Sequence, residues 1–413
     1  MGGPEWLRVL RRGALQRAES SSLPSAEEPI WRYSRVADLD LARFTLAAAD
    51  SAGHGAARGL PAPVSALLAQ IGDRSGLVVT HNGRLVPTAD AGVPGLRVSW
   101  AGEDAVAVGE VAGEPDVFAT LNAAFCSGPL DIHVAAGATI ADPIVVLHWV
   151  DEADLAVFPR TVIHVGDDAD ARVLEIVASS DVTALVVPVT EMDLAPAARL
   201  GYLNVQVLGP AAWQIGIQAS RVDRQADLVS QSVAFGGDYA RVRTESTLVG
   251  AGASSRLLAV YFGDGSQMHD FRTIQAHAAP KTTSDLVFKG AVAGTAHSVY
   301  TGLIRVDKGS AGSAAFQTNR NLILHEGAHA DSVPNLEIEE HDVRCSHASA
   351  VGPVDEEQRF YLESRGVPPL VADRLITLGF LNDVLARTPV AAALPWMQAT
   401  LAAHFDAAEV GAA

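Results

Sequence analysis

The sequence predicts a mainly β protein whose centre is a parallel β-helix, a coiled stack of strands flanked by an N-terminal α/β region and C-terminal helices. Three observations predict it. From about residue 130, short alternating runs follow one another: "DIHVAAGATI", "RTVIHVG", "ARVLEIV", "WQIGIQASRV", "RLLAVYFG", "HSVYTGLIRV" and "PNLEIEE". Almost none is long enough for a helix, and Gly, Ala, Asp or Ser punctuate the joins. Second, Val306, Leu322 and Ile338 recur every sixteen residues, as do the small residues Ser298, Ala314, Ala330 and Ser346. Small residues in register are what a tightly closing coil needs. Third, helical periodicity is confined to the two ends. The sixteen-residue step is either one short coil or half of a flattened two-sheet coil. The step is loose before residue 290, so a β-sandwich stays open as the alternative.

The elements divide into an N-terminal region (1–128), the solenoid (129–352) and a C-terminal helical region (353–413). Residues 5–18 form an amphipathic helix carrying Trp6, Leu7, Leu10 and Leu15, and "ESSSLPSAEEP" is a linker by composition. "APVSALLAQI" (62–71) and "PDVFATLNAAFC" (115–126) read as helices. Between them "SGLVVTHNGRLV" is a hairpin, because Asn82-Gly83 tolerates the positive φ of a two-residue turn. Beyond Gly352, "VDEEQRFYLESRG" opens with acids favourable at a helix N-terminus and stops at Gly366. Pro368-Pro369 then starts a helix with the apolar stripe Val371, Leu375, Leu378, Leu381 and Leu385. A last helix covers about 390–409. These helices are too few to build their own core, so part of their apolar surface faces the solenoid or a partner.

Composition excludes several functions. A net charge of −18 with only three lysines, Lys281, Lys289 and Lys308, argues against nucleic-acid binding. None of these lysines closes a G-x-x-x-x-G-K-[ST] loop, so nucleotide hydrolysis has to come from a partner. Charge runs through the segment from Met1 to Ser25 without an apolar h-region. No stretch approaches the run of about 18 uninterrupted apolar residues that a membrane span needs. Two cysteines, Cys126 and Cys345, make no disulfide framework. Together these features predict a cytoplasmic protein with no membrane association.

The candidate site is "EEHDVRCSHASAVG" (339–352), where Cys345 and His347 project from the same face of a strand. A thiol beside an imidazole suits a soft metal site, a nucleophile with its base, or two packed residues without chemistry. On the sixteen-residue step His325 aligns with His341, His329 with Cys345, and Asp331 with His347. This is a ligand ladder if the step is a whole coil and vanishes if it is half of one. "HEGAH" (325–329) lacks the helix that a zinc-binding H-E-x-x-H needs, and "FGDGSQMHDF" (262–271), with Asp264, His269 and Asp270, reads first as a glycine turn.

Several stretches together resemble the SufB/SufD family of iron–sulfur cluster assembly scaffolds, and within it the SufD branch. They are "EPIWRYSRVADLDLARF" (28–44), "LNAAFCSGPLDIHVAAGATIADPIVVLH" (121–148), "HAAPKTTSDLVFKGAV" (277–292) and "SVPNLEIEEHDVRCSHASAVGPVDEEQRFYLESRG" (332–366). The resemblance implies a right-handed parallel β-helix and a non-catalytic assembly subunit paired with a SufB-like paralogue, self-pairing being open for the isolated chain. It also implies a SufC-like ABC-type ATPase docked on the C-terminal helices, and a reduced flavin associated with the whole complex. Residues 345–347 match the segment whose histidine faces the partner's cysteine. His347, with Cys345 beside it, is thus the implied ligand of a transient Fe–S cluster shared between two chains. The chain departs from the SufB branch, whose scaffold cysteine lies in an Asp-Arg-Cys-Gly stretch. The matching "HEGAHADSVP" has no thiol.

Two rivals remain at this level. A β-helix polysaccharide lyase or hydrolase would need carboxylates, basic groups or calcium ligands along one groove. A homodimeric structural solenoid would use its histidines for no chemistry.

Overall fold

The computed structural model describes residues 3–47, 59–88, 92–102 and 107–412. Successive strands between Leu130 and Gly352 alternate between two parallel sheets, giving a flattened solenoid of about eight turns. One whole coil carries the chain from Trp213 to its register partner Tyr239, from Met268 to His297, and from His297 to His329. The coil therefore lengthens along the stack. At the last of these places it is twice the sixteen-residue step, so that step is half a coil, and residues related by it lie on opposite sheets. Coils of unequal length explain why the step is legible only near the C-terminal end.

Alternate residues along each strand point into the coil, as the period of two requires. The inward set is apolar through Ile132, Val146, Val173, Leu200, Tyr202 and Leu228, among others. A buried polar knot interrupts it near the start of the stack. Glu175 accepts hydrogen bonds from Thr161 (2.7 Å), Thr190 (2.8 Å) and Tyr202 (2.5 Å), with His148 at 3.1 Å. Burial alone raises the Glu175 pKa, but the His148 and hydroxyl contacts outweigh it and leave the carboxyl below its usual range.

Both outer faces of the stack are covered in the middle. Helix α1 (Glu5–Glu19) packs on α3 (Val117–Phe125); α2 (Ala62–Ile71) lies between them in sequence. The segment "PIWRYSRV" lies over the 12-stranded sheet, and its docking has a clear cause. Asp270, fully buried on that outer face, is neutralised by Arg241 (2.9 Å) and Arg272 (2.5 Å). Those guanidinium groups donate onward to the carbonyls of Ile30 (2.9 Å) and Arg32 (2.6 Å), while Arg241 sits 3.8 Å from the centre of the Trp31 ring. On the 10-stranded sheet the cover is α2 with α5 (Pro369–Leu385) and α6 (Leu394–Ala412), which follow α4 (Glu356–Glu363). The expected apolar stripe is split along α5. Leu381 and Leu385 are fully buried, whereas Val371 and Leu375 are exposed.

The hairpin turn forms as expected, with Asn82 and Gly83 at φ 52° and 74°. The start of the stack is closed by short antiparallel pairs, Gly76–His81 with Arg84–Val86 and Leu96–Trp100 with Leu130–Val134. The far end is open. Among the described residues, the terminal strands His329–Ile338 and Val343–Gly352 each have a neighbour on one side only. Pro334 is tolerated there because an edge strand has one row of unpaired groups. No helix among the described residues is long and apolar enough to cross a membrane.

Candidate functional site

Cys345 and His347 lie on the last strand of the 10-stranded sheet, at the open end. Their register partners on the preceding coil are Ala315 and Gln317, both buried. Both side chains therefore belong to the inward set, but no further coil among the described residues covers them. Cys345 is half-buried and packs with Val343 on Ile304, Val306 and Ala315; His347 is exposed. Burial pushes the Cys345 thiol up, more than the Ala315 backbone contact lowers it. The protonated thiol is then the resting form, and no hydrogen bond among the described residues joins it to His347. A nucleophile activated by its neighbouring base is not what this geometry provides. What remains is a soft donor and an imidazole about 7 Å apart along one strand, on a rim that a second chain can approach. One thiol falls short of the four ligands that a cluster takes, so the set needs completion from outside.

The rim is apolar as well as open. Leu336 and Ile338 on one sheet, and Val351 on the other, expose 36%, 43% and 45% of their surface. The terminal coil is tied across its two sheets by Ser349 Oγ donating to Ser332 Oγ at 2.7 Å. A second exposed apolar surface lies on α4 and the first half of α5: Phe360, Tyr361, Leu370, Val371 and Leu375. Beside it runs a shallow groove lined by Asp355, Glu357, Gln358, Tyr361, Leu362 and Ile376. The alternation of "PNLEIEE" marks Leu336 and Ile338 as one face of a strand. Sequence could not mark them as uncovered, because that depends on where the coiling stops.

The aligned ladder is not formed. His329 and Cys345 are on different sheets, as are Asp331 and His347. His325 sits in the turn before His329, where its Nδ1 accepts from the Gly294 amide at 2.8 Å, so "HEGAH" is indeed no helix. Only the middle of "FGDGSQMHDF", residues 264–267, is a turn: His269 and Asp270 are strand residues, and as neighbours they point to opposite faces. His269 is inside the coil with its pKa lowered to about 4 by burial, and Asp270 is outside in its ion pairs. With Asp264 they therefore form no joint site. Cys126 is buried, and the Arg11 guanidinium donates to its carbonyl at 2.9 Å.

Residues 148–380 match the family model described as SUF system FeS cluster assembly, SufBD core domain. The chain is 26% identical over 376 residues to the iron–sulfur cluster assembly protein SufD of Escherichia coli, covering 90% of this chain and 86% of that one. With SufD of Bacillus subtilis the identity is 24% over 403 residues, covering 94% and 91%. An iron–sulfur cluster assembly SufBD family protein of Mycobacterium tuberculosis is 37% identical over 208 residues, 48% of this chain and 52% of the relative. The match thus spans about half the length of such mycobacterial relatives.

Proposed function

The chain belongs to the SufB/SufD family of iron–sulfur cluster assembly proteins, and from that premise we propose that it works as the SufD-like, non-catalytic scaffold half of a two-chain assembly platform. The observation that carries this reading is the asymmetry of the solenoid. One end is closed by antiparallel pairs; the other presents two unpaired strand edges, exposed Leu336, Ile338 and Val351, and the donors Cys345 and His347. An open apolar edge invites aggregation unless a partner strand covers it. The partner in this reading is a SufB-like paralogue that extends both sheets and supplies the missing thiolates.

The nascent cluster is cargo. Apposition of the partner would dehydrate the rim, and Cys345, protonated at rest, would release its proton as iron binds the sulfur. His347 would contribute its imidazole from the solvent-facing end of the same row. With few ligands from each chain, the cluster would be released when the two rims separate. Phe360, Tyr361, Leu370, Val371 and Leu375 form the proposed seat of a SufC-like ABC-type ATPase, whose closure would pull on α4 and α5 and thereby on the sheet beneath. A reduced flavin is not assigned to this chain. Asp355 caps α4 and Glu356 and Glu357 stand in its first turn, where their charge repels a phosphate. The cytoplasm is the proposed setting.

Co-expression with the paralogue and the ATPase tests the pairing; recovery of this chain alone would sink it. Within the assembled complex His347→Ala is expected to lower the yield of reconstituted cluster, read by its visible absorbance. An unchanged yield removes the ligand role while leaving the scaffold role intact.

A further inference from the structure

A different trio of side chains converges where the sixteen-residue alignment placed no site. His297 and His329 are direct register partners on the last two strands of the 12-stranded sheet, and Asp331 follows two positions after His329. All three project from the same, outward face. Asp331 Oδ2 lies 2.8 Å from His297 Nε2 and 3.4 Å from His329 Nε2, and the two imidazole rings are 5.0 Å apart. One ligand atom from each residue falls within 4.8 Å of the other two. His297 and Asp331 are held in place, with side chains 28% and 24% exposed, while His329 at 67% is free to turn.

We infer that His297, His329 and Asp331 form a binding site for a first-row divalent transition-metal ion of the Fe2+ or Zn2+ class. Two donors each about 2.1 Å from such an ion, at tetrahedral or octahedral angles, lie about 3.0–3.4 Å apart. The two distances to Asp331 are close to that range, and rotation of the exposed His329 ring brings the third donor in. Two imidazoles and one carboxylate select Fe2+ or Zn2+ over the hard cations Mg2+ and Ca2+, which take oxygen ligands. Three protein ligands leave further positions open to solvent, the arrangement of a site that exchanges or presents its ion. The strand pairing is what builds it. The coil between His297 and His329 has the length that sets them side by side. One position more or fewer in that coil would send one imidazole to the opposite face. The site is separate from Cys345 and His347, which face inward on the other sheet, and it does not depend on the proposed cluster chemistry.

The test is metal binding by the untagged full-length chain, with Co2+ followed by its visible ligand-field bands and Zn2+ by competition against a chromophoric chelator. Fe2+ is titrated under anaerobic conditions. One equivalent is expected, and it should persist in the Cys345→Ser/His347→Ala double variant, which removes the other candidate donors. Asp331→Asn and His329→Ala should each weaken binding more than ~10-fold, the scale set by losing even an outer partner of a metal ligand. His329→Ala changes an exposed side chain, and unchanged thermal unfolding of the apo variant verifies the fold. Absence of a stoichiometric site, or unaltered affinity in both single variants, overturns the inference. Loss of binding only in the Cys345/His347 variant overturns it too, and assigns the ion to the rim.

Discussion

Alanine at two leucines of α5, Leu375 and Leu381, separates structural from docking function. Leu381 is 0% exposed and sits in the core shared by α5, α6 and the 10-stranded sheet. Its truncation leaves a cavity and costs about 2–5 kcal/mol. Leu375 is 49% exposed, and full burial of a leucine side chain is worth about 1.5–3 kcal/mol. Its contribution to the isolated chain is therefore near ~1 kcal/mol or below. The half still in water is what an ATPase subunit would cover, worth again about 1 kcal/mol, or roughly fivefold in Kd. Phe360, 72% exposed on α4, would be the stronger anchor in the proposed docking, and Phe360→Ala should cost about 2 kcal/mol of binding, roughly 30-fold. Urea unfolding followed by circular dichroism reads the stability, and calorimetric titration with the ATPase subunit reads the affinity. If Leu375→Ala destabilises the chain as much as Leu381→Ala, or if Phe360→Ala binds the ATPase as tightly as the unaltered chain, the docking assignment fails.

Two further expectations concern the solenoid itself. His269 and His277 face the coil interior, and burial lowers the pKa of each to about 4 from 6.5. Above pH 6.5 both are neutral in either state; below it the unfolded chain takes up protons that the folded chain refuses. Stability is thus lost as pH falls from 6.5 towards 4, at about 1.4 kcal/mol per pH unit for each histidine. His277→Asn should remove about one proton from the pH slope of the urea midpoint, and an unchanged slope would contradict the assignment. Gly290→Ala should be strongly destabilising, because a Cβ there would sit 1.8 Å from Cε2 of Tyr261. That ring is fully buried and donates to Asn321 Oδ1 at 2.6 Å, so it cannot move aside without losing a bond. A thermal midpoint indistinguishable from that of the unaltered chain would show that the core yields more readily than this packing implies.

What the residues determined by themselves was local. The hairpin at Asn82-Gly83, the helices over 62–71 and 369–385, and the two-residue alternation of the solenoid strands all follow from backbone preferences and hydrophobic period. The same holds for Cys345 and His347 sharing a face, since neighbours at i and i+2 do so in any strand. Tertiary structure decided everything that depends on which coil lies beside which. A repeat of sixteen looks the same whether it closes a coil or half of one. Only the pairing of each strand with its equivalent a whole coil away decided between a ladder and none, and brought His297 to His329 and Asp331 instead. In the same way the stripe of α5 is uniform in sequence, and the sheet beneath Leu381 but not Leu375 makes one half core and the other half surface. The open rim is likewise a property of where stacking stops: Leu336 and Ile338 carry the pattern of interior residues, and it is the lack of a following coil that exposes them.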